Sequence, residues 1–271
     1  MKAIGRRTAL TAIGGFGLGL IGTTAIGASW LRDDRQPSLT ILGCGRGLSV
    51  LLTSGGARML QLAGSDYTDF GNALASARYP GLDRIDLLLV PGQGPNRSLL
   101  ASAVRQVGAR NIYTIGSSRE LLDAGISVDR ELLAPHRFAL PGDTDVTISV
   151  AGGSDSPNSS EFSWSILIQW RTHHLLVDSG GDIESLPAAA RQASAWIRTS
   201  GFVSREDIQQ MAPAAVIVAA EANPGPQMRE LLQNKQGQLV HGFRIHGGDT
   251  ARLELHGDGL QLPGNSVNGT Q

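Results

Sequence analysis

The chain has 271 residues, of which 41% are hydrophobic, 17% charged and 5% aromatic, enough apolar material for one or two globular domains and too much for a disordered chain. Its 23 basic and 24 acidic residues give a formal charge of -1, which excludes the electrostatic footprint of a polyanion-binding protein. The single cysteine, Cys44, excludes an internal disulfide framework and any cysteine-rich zinc module.

The first thirty residues read as an export segment rather than as part of the fold. Arg6 and Arg7 precede an uncharged run over residues 8–31, rich in glycine and only mildly apolar, which ends at Arg32-Asp33-Asp34-Arg35. Arg6-Arg7 followed by Thr8-Ala9-Leu10 has the form of a twin-arginine signal, which passes folded cargo to the periplasm. Two fates are open. Small residues at Ala25-Ile26-Gly27 offer a cleavage site that leaves the mature chain beginning near Ala28. Left uncut, residues 8–31 are long enough to cross a roughly 30 Å hydrocarbon core and anchor the protein to the inner membrane. Removing residues 1–28 takes away Lys2, Arg6 and Arg7, leaving 20 basic against 24 acidic residues. That balance argues against direct nucleic-acid binding.

After a linker over residues 29–37, short apolar runs punctuated by glycine predict three strands at 38–43, 49–54 and 58–63. A short helix is expected at 70–78, a fully apolar strand at 85–90, a helix at 97–107 with Leu99, Leu100, Ala103, Val104 and Val107 on one stripe, and a strand at 111–115. That order is a βαβ unit, which implies a parallel pair buried on both faces. Alternation then predicts strands at 146–150, 163–170 and 173–177, with a polar loop at 152–160. Helices are expected at 183–198, 204–211 and 228–235, and strands at 214–220, 238–243, 252–255 and 260–262. Two halves of like order suggest an α/β protein with two packed sheets and helices outside. The domain is placed at 38–262, and the polar tail 263–271 is expected to be disordered.

These runs resemble the metallo-β-lactamase fold, in the form found at the C-terminal end of ComEC-type DNA-uptake proteins. That group opens with L-D-V-G-Q-G-D-A, then a strand, a turn and I-D-A-G. Here Leu42-Gly43-Cys44-Gly45-Arg46-Gly47-Leu48-Ser49 is followed by Gly55-Gly56 and Gln61-Leu62-Ala63-Gly64. The glycines agree, and the family's acids are replaced by Gly43, Leu48 and Leu62. The family's metal-ligating S-H-P-H-A-D-H falls on Val90-Pro91-Gly92-Gln93-Gly94-Pro95-Asn96, where Pro91, Gln93, Pro95 and Asn96 supply no strong transition-metal ligand. The strand ending in L-L-T-G-D, whose acid bridges the metals, resembles Leu175 to Asp182 with two extra residues, so Asp178 or Asp182 is the remaining candidate ligand. The family's G-H-H-G-S falls loosely on Arg198 to Phe202 and puts Ser200 in place of a histidine. The resemblance implies a four-layer αββα sandwich over most of the chain. With these replacements it implies a site that holds no metal and carries out no metal-assisted hydrolysis.

Other constellations carry less. His173 and His174 adjoin in a strand and point to opposite faces, while His241, His246 and His256, with Asp249, are a candidate displaced metal site if they converge at one end of the closing sheet. The Gly43 to Gly47 run is followed by a strand and not by the helix a dinucleotide loop needs. Ser154, Ser156, Ser159 and Ser160 lie in a polar loop with Asp155, without an evident base, and Cys44 reads as a small core residue.

The expectation from sequence is therefore a periplasmic, exported protein that binds a small ligand or protein partner without catalysis and has no resident cofactor. The twin-arginine export machinery is its one identifiable partner, and it touches membrane only through residues 8–31 if these are retained. The alternative is a hydrolase of phosphoesters or related substrates that uses zinc or another divalent metal at a reduced or relocated site around Asp178, Asp182 and His241 or His246. A DNA-uptake accessory role rests on analogy alone, and the acidic mature chain argues against it.

Overall fold

The computed structural model describes residues 36–64, 66–77, 85–91, 97–151, 163–181, 183–221, 240–256 and 259–261. The export segment, most of the linker, the loop at 152–160, the helix expected at 228–235 and the tail lie outside these residues.

The opening meander is β1 (Ser38–Cys44), β2 (Gly47–Ser54) and β3 (Ala57–Gln61). Helix α1 (Tyr67–Ala77), strand β4 (Ile85–Pro91), helix α2 (Arg97–Val107) and strand β5 (Ala109–Ile115) supply the βαβ unit. Strands β3, β4 and β5 pair in parallel. Helix α1 starts three residues before Phe70 because the Asp66 carboxylate accepts hydrogen bonds from the backbone N–H groups of Thr68 (2.9 Å) and Asp69 (3.2 Å), capping two of the first-turn donors.

Three short elements follow that the sequence pattern does not announce: α3 (Arg119–Asp123), β6 (Arg130–Leu132) and β7 (His136–Leu140). Each is five residues or fewer, too short for a period to be seen. They are followed by β8 (Thr144–Ala151), β9 (Ser163–Trp170) and β10 (His173–Asp178).

The helix expected over 183–198 does not form. Two single 3-10 turns, Ile183–Ser185 and Ala190–Gln192, are followed by strand β11 (Ala195–Arg198). Pro187 interrupts the segment, and the alanines that suggested a helix are spacers on the way to a four-residue strand. Strand β11 pairs in parallel with β10 on one side and β12 (Ala215–Ala219) on the other. A short strand held by two neighbours needs no propensity of its own.

Helix α4 (Arg205–Met211) begins in a capping box: Ser204 Oγ accepts from the Asp207 N–H (3.1 Å), and Asp207 Oδ2 accepts from the Ser204 N–H (2.9 Å). The chain closes with β13 (His241–Ile245), β14 (Thr250–His256) and β15 (Gly259–Gln261).

One sheet has the order β15-β14-β1-β2-β3-β4-β5-β6 and the other β13-β12-β11-β10-β9-β8-β7. Their facing sides share a core that includes Leu39, Ile41, Val50 and Leu89 from the first and Ile148, Ile166, Val177 and Ile197 from the second. The outer side of the first sheet, with Leu42, Leu51, Leu60 and Leu88, is covered by Phe70 and Ala73 of α1 and by Leu100 and Val104 of α2. The outer side of the second carries Leu176, Trp196 and Val216, which pack with Ile208 and Met211 of α4. The result is a four-layer αββα sandwich. Burial on both faces is why β4 and β12 read as continuous apolar runs instead of alternating.

Candidate functional site at the strand ends

The parallel strands of both sheets end at the same edge of the sandwich. The β1–β2 turn lies against the residues that follow β3 and β11: the Leu48 N–H donates to Thr199 O (2.9 Å), and a Cβ on Gly47 would stand 2.5 Å from Gly64 Cα and 2.9 Å from Thr199 O. The Gly43 N–H also donates to Asp249 O (2.9 Å), and the Gly248 N–H donates to Gly43 O (3.1 Å). The glycine of this turn therefore serves close backbone packing. Cys44 is fully buried within it, its Sγ 3.4 Å from both Leu42 O and Ser49 Oγ, and burial pushes the thiol up to about 11.

Asp178 ends β10 and is 4% exposed. Its Oδ2 accepts from Trp196 Nε1 (3.1 Å) and its Oδ1 from the Gly180 N–H (3.3 Å), with Arg198 Nε 3.8 Å from Oδ1. Burial raises the carboxyl above its ordinary value, against the pull of the Arg198 charge and the indole hydrogen bond. Arg198, itself 7% exposed, donates from Nη2 to Gly181 O (3.1 Å), stands 3.8 Å from Asp207 Oδ2 through Nη1, and lies over the Trp196 ring at 5.4 Å. A buried cation thus sits between two carboxylates at the end of three strands.

Register extends this group sideways. Ser149 pairs with Ser165, Ser165 with Asp178, and Asp178 with Arg198. Directly paired residues share a face, and their neighbours Ile148, Ile166, Val177 and Ile197 fill the core between the sheets, so this polar row lies on the outer face of the second sheet. A cavity of about 230 Å³ adjoins this row, lined by Ser149, Ser163, Ser165 and Asp178, by Val150 and Trp164 beside them, and by Leu186 and Pro187. Sequence reasoning passed over this row because serines alternating with apolar residues look like an ordinary solvated strand face.

The remaining sequence candidates are placed as follows. Pro91 ends β4 and has no side-chain donor, whereas Gln93, Pro95, Asn96, Asp182, Arg6 and Arg7 lie outside the described residues. Ser200 Oγ donates to Ser179 O and ties the loop after β11 to the loop after β10. The late histidines do not converge. His246 follows β13 and stands 3.4 Å from Glu221, His241 is the first residue of that strand, and His256 pairs with Glu254 at 3.6 Å. Because β14 runs antiparallel to β1, with Thr250 beside Leu42 and Glu254 beside Ser38, His256 lies at the end of the sheet opposite Asp249. His241 opens the five-residue strand β13 and His246 follows its other end. His173 stacks on Trp170 (5.9 Å), and His174 Nε2 is 3.2 Å from Gln169 Nε2.

A second acidic group went unnoticed in the sequence. Asp69 sits beside the His246 to Gly248 turn, its Oδ2 2.0 Å from where a Cβ on Gly247 would stand. Desolvation and then the charges of Asp66 and Glu221 hold its carboxyl above the ordinary value. Among the described residues no three of His, Cys, Asp and Glu are arranged to hold a metal ion. The donors that are present do not fit one either, since the Asp178 oxygens face an indole, a backbone N–H and a guanidinium.

The backbone resembles that of the metallo-beta-lactamase fold protein YhfI from Bacillus subtilis, at 12% identity and a TM-score of 0.55, covering 81% of this chain and 100% of that one. It also resembles a metallo hydrolase from the hyperthermophilic archaeon Ignicoccus hospitalis, at 11% identity and a TM-score of 0.50, with coverage of 81% and 100%. No protein-family model matches the sequence, and no curated protein matches it. At these identities the likeness is one of fold, and the chain has the metallo-β-lactamase fold.

Proposed function

We propose that this metallo-β-lactamase fold serves as an exported, non-catalytic binding protein, a degenerate relative of the ComEC-type group that engages a small ligand or protein partner at its strand ends. The observation that carries this reading is the state of Asp178. Hydrolysis by this fold relies on a metal that lowers the pKa of bound water, and the metal needs free anionic donors. Asp178 instead accepts from Trp196 and Gly180 and faces Arg198, whose charge opposes a second cation at the same place. The replacements at Pro91 and Ser200 support the same reading. The twin-arginine segment supports a periplasmic location, with the export machinery as a partner and residues 8–31 as the anchor if they are not removed.

The test is thermal unfolding of the full chain in zinc and in manganese, together with an assay on bis(p-nitrophenyl) phosphate. A site filled at a hundred times its Kd stabilises by about 2.7 kcal/mol and raises Tm by roughly 5–10 °C for a domain of this size. The binding-protein reading predicts no such rise and no turnover. A rise of that size with turnover abolished by Asp178→Ala would instead establish a hydrolase with a reduced metal site.

A further inference from the structure

We propose that the serine-lined cavity on the outer face of the second sheet is a binding site for a small, uncharged, polyhydroxylated molecule of monosaccharide size. This deepens the binding-protein reading and rests on it, but it puts the ligand on the sheet face beside Asp178, away from the turn at Gly43 to Gly47.

The polarity here is not what packing asks for. The rest of this outer face is apolar where helix and turns cover it, with Leu176, Trp196 and Val216 in one cluster. At the cavity β8, β9 and β10 present Ser149, Ser165 and Asp178 side by side. Ser165 is 4% exposed, yet its hydroxyl has no hydrogen-bond partner among the described residues, and neither do those of Ser149 and Ser163. All three serines line the cavity, so a molecule held there can supply the partner that the fold does not.

The chemistry of that something follows from the lining. Each serine hydroxyl both donates and accepts, so the complementary ligand groups do the same, which is the property of an alcohol. Asp178 adds an acceptor, and its charge is matched by Arg198 behind it. A ligand anion would face the carboxylate, which lines the cavity, while Arg198 does not line it. A ligand cation would compete with a guanidinium already in place. An uncharged molecule meets neither penalty. Leu186 and Pro187 provide an apolar wall for the C–H face of such a molecule. At about 30 Å³ per water, a cavity of about 230 Å³ holds the equivalent of about eight waters.

The experiment is ligand-observed NMR on the full chain with glucose, galactose and myo-inositol as neutral probes and glucuronate and glucosamine as charged ones. The proposal predicts saturable binding of at least one neutral probe, with a Kd raised about tenfold or more by Ser165→Leu, which fills the cavity, and charged probes weaker by about tenfold. Ser149→Val, at a half-buried strand position, is the second variant should Ser165→Leu fail to fold. Three results would each overturn the proposal: no neutral probe binds saturably, so that the cavity holds water only; folded variants bind as the wild type does; or a charged probe binds as well as its neutral counterpart. None of these bears on metal binding, which is read by the Tm shift in zinc and manganese, so the two readings fail separately.

Discussion

The outer faces of the two sheets have the same job and meet it differently. On the first, Leu42, Leu51, Leu60 and Leu88 meet Phe70, Leu100 and Val104 of the covering helices, and the buried hydroxyls of Ser49 and Thr114 on the same face donate to the backbone oxygens of Ala63 and Gly116. On the second, the apolar face of Leu176, Trp196 and Val216 gives way at one side to Ser149, Ser165, Asp178 and Arg198. The second keeps a buried carboxylate and a buried guanidinium, each of which is a loss relative to apolar residues of the same size unless the group serves something beyond packing.

The largest expected effect comes from breaking the charge pair. Arg198→Met leaves Asp178 buried without its cation and should cost roughly 3–5 kcal/mol of stability in urea unfolding. On the first face, Leu88→Ala should cost about 3 kcal/mol through lost burial and the cavity it leaves. The two faces would then contribute comparably by different physics.

Asp178→Asn should cost less, about 1–2 kcal/mol at neutral pH, because the amide oxygen still accepts from Trp196 and Asp207 still faces the guanidinium. Its pH signature is more informative. Burial raises the folded carboxyl above its unfolded value, so between the unfolded pKa of about 3.9 and the folded one the native state holds more protons, and this group makes stability fall as pH rises. Asp178→Asn should remove that downward contribution, so the variant gains on the wild type as pH rises through the window and holds a constant difference above it. Parallel curves for the two proteins across the whole acid range would contradict the assigned direction.

The smallest effect sharpens the comparison most. Ser165→Ala should change stability by no more than about 0.5 kcal/mol in ligand-free protein, because its hydroxyl gives the fold no hydrogen bond. A loss of 1 kcal/mol or more would mean that the hydroxyl is structural and that the polar row is a packing solution after all.

Much of the architecture was legible beforehand, and the reasons are visible in particular elements. Helix α2 and strand β9 occupy the expected residues because a loop or turn signal bounds each and one clear period fills it. Strand β11 was missed because an alanine-rich approach carries a helical composition, whereas Ala195–Arg198 is a strand only by virtue of its partners β10 and β12. That error hid the site as well. With Arg198 assigned to a helix there was no reason to place it beside Asp178, and Asp178 was read as a spare metal ligand. The serines were invisible for a different reason: Ser149 and Ser165 become a pair only through the register of β8 on β9. The histidines erred in the opposite direction, since nearness in sequence around the closing hairpin suggested convergence and the antiparallel run of β14 separates them.

The central claim is that the strand-end carboxylate is committed to an internal cation and not to a metal. It is tested most directly by mass-spectrometric metal analysis of the protein purified from its own compartment without chelators. The account predicts less than about a tenth of an equivalent of zinc, iron or manganese per chain. A stoichiometric metal, lost together with Asp178 in the Asp178→Ala variant, would contradict it.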